Sequence, residues 1–228
     1  MRLQDLNWMD VERYLQQDNR IILVTGATEQ HAYLSLMTAS LIPAKIAEAL
    51  SQREGVLVAP PLNFGMSYIF GDFPGTISLS VNTFEHVVLE IVESLLHQGF
   101  YRFFIINGHS GNQIPERLLD FEMDGMIRVI WYDWQRGSAA AQFAEQNGLQ
   151  IAHANWSENF PFTRVGESPV GAKPMVSWED TRERYGIREA IGDGNFGGLY
   201  QIKDELMDQL FNVIVDEATA LVQSLAGD

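Results

Sequence analysis

The sequence predicts an α/β protein, a three-layer α/β/α sandwich around a mostly parallel central sheet. Two observations carry this. The runs at residues 20–25 (RIILVT), 101–108 (YRFFIING) and 126–134 (MIRVIWYDW) are too continuously apolar for strands with one face in water. Between them lie stretches of helical period that stop at glycines, the alternation of βα units. Taken in order, a helix over about residues 8–17 leads into the first strand, and residues 41–55 form a helix closing at Gly55. Residues 56–65 read as a second strand and loop, 76–81 as a third strand, and 82–99 as a helix capped by Asn82 or Thr83. The fourth and fifth strands flank a helix within 112–125, and residues 202–225 form a long final helix with an apolar stripe. The Pro- and Gly-rich stretch 158–186 is aromatic enough to be an ordered loop over a site or at a subunit contact. Right-handed crossovers would leave a ligand crevice at the carboxyl ends of the strands.

The 228 residues are 46% hydrophobic, enough for one large domain spanning 1–228. Fifteen Lys and Arg against 30 Asp and Glu give a formal charge of −15, which disfavours nucleic acid and anionic membranes as partners. With no cysteine, disulfides, thiolate metal sites and a Cys nucleophile are excluded, so any metal must use His, carboxylate and water. The amphipathic first residues lack the pattern of a signal peptide, and no apolar run has the length of a membrane span; a cytoplasmic protein is expected. The Asn155-Trp156-Ser157 sequon is read as chance.

Two strand ends carry chemistry. Glu29-Gln30-His31 follows the first strand, where a carboxylate and an imidazole two positions apart can face one crevice and suit Zn²⁺ or Mn²⁺. The alternative is a pair of ordinary hydrogen-bonding loop residues. Asn107-Gly108-His109-Ser110-Gly111-Asn112 follows the fourth strand, with glycines that admit close backbone approach. Two His-bearing strand ends in one sheet favour a shared site.

Gly26-Ala27-Thr28-Glu29-Gln30-His31, Phe73-Pro74-Gly75-Thr76-Ile77-Ser78 and the His109 segment resemble three signature segments of the creatininase family, in its order and at comparable spacing. The likeness covers nearly the whole chain, through Gly192-Asp193 before the last helix. It implies a homo-oligomeric amidohydrolase acting on a small cyclic amide or formamide. It further implies two metals, with Glu29 and His109 on one, His31 on the other and an acid bridging both. His153 and Glu158, in His-Ala-Asn-Trp-Ser-Glu, resemble a family segment in which the His moves a proton and the Glu ligates or orients. Thr-Ser there is replaced by Asn159-Phe160.

The chain departs from the family pattern where it matters most. Ala39 stands at the bridging Asp position, and Ser40 beside it is a neutral hydroxyl. Tyr68-Ile69-Phe70 replaces an acid and a His, and Gly111 falls where some members place a metal-binding Glu. Too little negative charge then remains for two close dications, so one ion or none is expected. Asp72 is a candidate replacement carboxylate, and Asp72, Ser110 and Trp156 are candidate substrate contacts. Trp131, Trp134 and Trp156 are candidate walls for a flat heterocycle, or core.

Three other readings compete. Ser110, in a near nucleophile elbow, would attack with His153 as base and Asp133 as acid, although Asn112 replaces the final Gly. A relative keeping the fold without the chemistry would bind or assemble. Gly192-Asp193-Gly194-Asn195-Phe196-Gly197 matches a dinucleotide fingerprint by letters but follows no strand, and is read as a decoy. His86 and His97 lie on a helix and are not read as ligands.

Overall fold

A computed structural model describes residues 1–176 and 187–226. Helices and strands alternate along the chain: α1 (Trp8–Leu15), β1 (Arg20–Thr25), α2 (Thr38–Glu54), β2 (Leu57–Val58), α3 (Val81–Gln98), β3 (Arg102–Asn107), α4 (Glu116–Met123), β4 (Arg128–Asp133) and α5 (Ser138–Gln146), the last of which the sequence reading did not anticipate. After them come β5 (Ala172–Lys173), α6 (Ile187–Ile191), β6 (Gly198–Leu199) and α7 (Asp204–Ser224). The central sheet is parallel, in the order β2-β1-β3-β4.

Alternate residues of each strand feed opposite layers. Ile22, Val24, Phe104 and Ile106 pack with α2, α5 and α7, whereas Ile21, Leu23, Phe103 and Ile105 pack with α1, α3 and α4. Both faces are covered, which is why these strands read as unbroken apolar runs. From β1 the chain crosses to β2 through α2 on one face; it then passes to β3 and β4 through α3 and α4 on the other. The order therefore switches between β1 and β3, and their carboxyl ends border the crevice where doubly wound sheets bind ligands.

Four sequence expectations need correction. The 76–81 segment is no strand; it makes isolated bridges, Thr28 to Ile77 and Gly65 to Ser78, because no strand lies beside it to complete a ladder. The second strand shrinks to two residues, ending before Pro60 and Pro61. α3 is capped by Ser80, whose hydroxyl accepts from Thr83 N at 3.2 Å, and not by Asn82 or Thr83. Trp156, a candidate substrate contact, is fully buried in the core, its Nε1 donating to the Gln150 carbonyl at 2.8 Å, and Trp134 takes the core alternative of its two readings. Of the long loop, residues 177–186 lie outside the described residues; the rest is irregular apart from a short 3₁₀ turn and β5.

Candidate metal centre

Glycines at the ends of β1 and β3 let α2 close over the crevice. A Cβ at Gly26 would meet Ser40 Oγ at 2.4 Å, and one at Gly108 would meet the Ala39 carbonyl oxygen at 2.1 Å. Asn112 ties the two strand ends, donating to the Gly26 carbonyl at 3.1 Å and accepting from Met66 N at 3.0 Å. The segment 152–159, held by Asn155 and Ser157, supplies the third side.

These loops bring together Glu29, His31, His109, His153 and Glu158. Glu29 Oε1 lies 3.0 Å from His109 Nδ1, 3.9 Å from His31 Nε2 and 4.0 Å from His153 Nδ1. His31 Nε2 is also 3.4 Å from Glu158 Oε1. Ligand atoms of Glu29, His31 and His153 all lie within 4.8 Å of one another, the spacing of a metal cage. All but His153 are nearly sealed from solvent; its side chain retains 19% exposure.

The outward face of each ring is held by main chain. A carbonyl stands by one nitrogen of each: Glu29 at 3.2 Å from His31 Nδ1, Met66 at 3.1 Å from His109 Nε2 and Gln30 at 3.0 Å from His153 Nε2. A carbonyl only accepts, so each pins an N–H there and turns the other ring nitrogen toward Glu29, where it is free to bind a cation once deprotonated. At His153 a second partner competes, since the Gln30 side-chain nitrogen is 2.9 Å from the same Nε2 and donates only to a bare nitrogen. A cation at Nδ1 would select the carbonyl-bonded tautomer.

Glu29 is the odd member. It is 1% exposed, and despite the close His109 nitrogen neither of its oxygens has a hydrogen bond of proper geometry among the described residues. A buried carboxylate without donors demands a positive charge. Burial would raise its pKa, but His109, with His31 and His153 behind it, brings it down to about 2. Burial likewise opposes the charge on His31, yet Glu158 and Glu29 push it up to about 9. His109 is raised by Glu29 against the effect of burial. His153 is lowered to about 4 by burial, reinforced by His31. Glu158 is lowered, its burial outweighed by His31. Imidazoles and carboxylates aimed at one another in this way fit Zn²⁺ or Mn²⁺.

Ala32 and Ala154, each following a site histidine, have φ of 50° and 57°. Such left-handed residues cost about 1–2 kcal/mol each. Local hydrogen bonds help offset the cost: Ala32 N donates to Gln30 Oε1 at 3.2 Å and Ala154 N to Glu158 Oε2 at 2.6 Å.

Other candidates fall elsewhere. Asp72 is exposed, its carbonyl accepting from Arg188 at 3.3 Å, and it is not part of the metal-spaced group. Ser110 is exposed, and no imidazole bonds its hydroxyl among the described residues; Asp133 accepts from Asn107 at 3.4 Å. Ala39 is buried and brings no ligand. Gly111 admits no side chain as the loop stands, because a Cβ would lie 2.4 Å from His109 Nε2 and 2.8 Å from the Met66 carbonyl.

Three contributors escaped the sequence reading. Gln135 donates to Glu158 Oε1 at 2.7 Å, and Phe70 stacks on His153 with ring centroids 4.6 Å apart. The loop dismissed as a decoy also builds the wall: the Gly194 carbonyl accepts from Gln30 at 3.1 Å, and Phe196 sets its edge against His153 at 5.5 Å. The position of Gln30 between two candidate ligands was the one available signal.

Comparison with known proteins agrees with this architecture. Residues 4–222 match the creatininase family model, described as creatinine amidohydrolase. Creatinine amidohydrolase of Pseudomonas putida is 32% identical over 117 residues, 48% of this chain and 45% of that protein. The mycofactocin precursor peptide peptidase of Mycolicibacterium smegmatis is 32% identical over 99 residues, 40% of each. These matches thus span less than half the length of the curated relatives. A crystal structure of creatinine amidohydrolase superposes with a TM-score of 0.77 at 20% identity, covering 100% of this chain and 98% of that one, a likeness of fold. Similar solved structures include a manganese creatininase and a zinc-zinc form of a variant. The family match over nearly the whole chain and the parallel fold lead to one conclusion: the chain belongs to the creatininase family.

Proposed function

We propose that this chain is a metal-dependent amidohydrolase that cleaves the C–N bond of a small amide or formamide with one divalent ion, Zn²⁺ or Mn²⁺. The observation that carries the reading is Glu29, a buried carboxylate with no hydrogen bond of proper geometry among the described residues, faced by three imidazole nitrogens. Glu29 and Glu158 supply two negative charges, which one dication neutralises; two close dications would leave excess positive charge in a buried site. When bound, the ion polarises the scissile carbonyl and lowers the pKa of the attacking water. Glu29 and His31 would hold it. His153 and Glu158 flank that pair, one completing the cage and the other carrying the proton to the leaving nitrogen.

The depth of the site favours a small substrate or a flexible peptide end, the peptidase relative being a precedent for the latter. Metal content of the purified chain, with turnover on a panel of cyclic amides and formamides, tests the proposal. One ion per chain and turnover lost in Glu29→Gln are expected; a metal-free chain inactive on the whole panel overturns it.

A second reading, a binding or assembly relative without catalysis, is favoured by Ala39 and by the burial of the site under Phe70 and Phe196. Ligand binding without turnover would support it. The proposed enzyme is one domain over 1–228 and a cytoplasmic homo-oligomer, readings that proteolysis, cell fractionation and light scattering check.

A further inference from the structure

We infer that the ion is held by Glu29, His31 and His153, two imidazoles and one carboxylate, and that Glu158 stays outside this cage as the proton-carrying carboxylate. The inference rests on the metal-dependent reading above and reverses the roles that the family resemblance gives to His153 and Glu158.

Hydrogen-bond satisfaction separates the two carboxylates. Among the described residues neither oxygen of Glu29 has a hydrogen bond of proper geometry, its near neighbour being the His109 ring at 3.0 Å, whereas both oxygens of Glu158 have one: Ala154 N at 2.6 Å on Oε2 and Gln135 Nε2 at 2.7 Å on Oε1. Both groups are 1% exposed, so burial does not distinguish them. Only Glu29 has a need that a cation answers. Glu158 is already held by neutral donors, at a site where His31 Nε2 lies 3.4 Å away.

The histidines point the same way. His153 has its Nε2 by the Gln30 carbonyl at 3.0 Å and its Nδ1 toward Glu29, as His31 has its Nδ1 by the Glu29 carbonyl and its Nε2 inward. An outer N–H on a main-chain carbonyl with a bare nitrogen facing in is how proteins present imidazole to a metal. Ligands about 2.0–2.1 Å from a tetrahedral ion stand about 3.3 Å apart, so the observed 3.9 and 4.0 Å edges, in a group whose atoms all lie within 4.8 Å of one another, would have to close by more than half an ångström when the ion binds. The chain's own departures favour this arrangement. With Ala39 and Gly111 providing no carboxylate, a single ion has His153 within reach as its third ligand.

Glu158 then does the proton work. Its Oε1 takes a proton from water as the water oxygen bonds to the carbonyl carbon. The C–N bond breaks as that proton passes to nitrogen, giving one acid and one amine per water consumed.

The test uses the full chain, stripped with chelator and titrated with Zn²⁺ by calorimetry. Wild type is expected to bind one ion, His153→Ala to bind it about 100-fold or more weakly, and Glu158→Gln to stay within about threefold of wild type while losing turnover. Circular dichroism checks that the variants fold. A measurement on wild type needs no variant: pulsed electron paramagnetic resonance of the Cu²⁺-loaded chain should count two coordinated imidazoles. Two ions per chain, one imidazole, or a 100-fold loss in Glu158→Gln with none in His153→Ala would overturn the ligand set alone. A wild-type chain that binds no divalent ion would overturn both the ligand set and the proposed function.

Discussion

At position 39 a single methyl group stands where the family resemblance calls for a carboxylate. Ala39 is 1% exposed at the start of α2, and its carbonyl packs against Gly26 and Gly108, so its backbone is fixed beside the metal centre. Ala39→Asp should therefore raise ion stoichiometry from one to two while lowering the stability of the metal-free chain by about 1–3 kcal/mol, the cost of an added buried charge. Inductively coupled plasma analysis and urea melts read the two effects; a variant still holding one ion counts against a vacant bridging position. The titrating groups give a second prediction. His31, raised from 6.5 to about 9, binds its proton more tightly in the folded chain, so its contribution is complete below pH 6.5 and is lost as pH rises through about 9. His153, lowered from 6.5 to about 4, acts oppositely: its contribution is complete above pH 6.5 and is lost as pH falls toward 4. Metal-free protein should thus be most stable near pH 6.5 in urea melts, and His31→Gln should flatten the alkaline side. Much of this site was legible because Glu29, His31 and His109 follow apolar strands directly. Gln135 and Phe70 were not, since their roles come from partners distant in sequence. Trp156 misled because an aromatic beside candidate ligands reads alike as wall or core.

Among the elements, β1, β3 and β4 could be read from the chain because burial on both faces leaves an uninterrupted apolar run. The 76–81 segment shows strand-like alternation but no neighbouring ladder, and pairing is not written in a single segment. The close seating of α2 was also hidden, although it rests on one glycine at the end of β3. A Cβ at Gly108 would lie 2.1 Å from the Ala39 carbonyl oxygen and 2.5 Å from Pro43 Cγ, and neither can turn aside as a flexible side chain would. Gly108→Ala should cost about 2–3 kcal/mol, read as a lower urea midpoint at unchanged slope, and should disturb His109 next to it. Gly125, with φ of 69° and nothing near its added Cβ, is the control: Ala there should cost only about 1–2 kcal/mol. Equal losses at the two positions would mean that the α2 contact yields.

Over the whole molecule, the proposed ion joins segments that the chain brings from far apart: the loop after β1 and the 152–159 segment, with the end of β3 beside them. An ion that binds only the folded chain stabilises it by about 4 kcal/mol at a thousandfold excess over its dissociation constant. For a chain of this size each kcal/mol moves the melting temperature about 2–4 °C, so loading should raise it by about 8–16 °C. The shift should appear as one transition, because Trp134 and Trp156 lie in one layer and Trp131 packs against the other, with the sheet between. Tryptophan fluorescence and far-ultraviolet circular dichroism should then coincide, with and without chelator. Glu29→Gln should remove the shift, and should also lower apo stability, since the carboxylate that His109, His31 and His153 hold charged is lost. Two separated transitions would contradict the single domain. A shift that persists in Glu29→Gln would place the ion elsewhere on a surface whose net charge of −15 can attract cations without a built site.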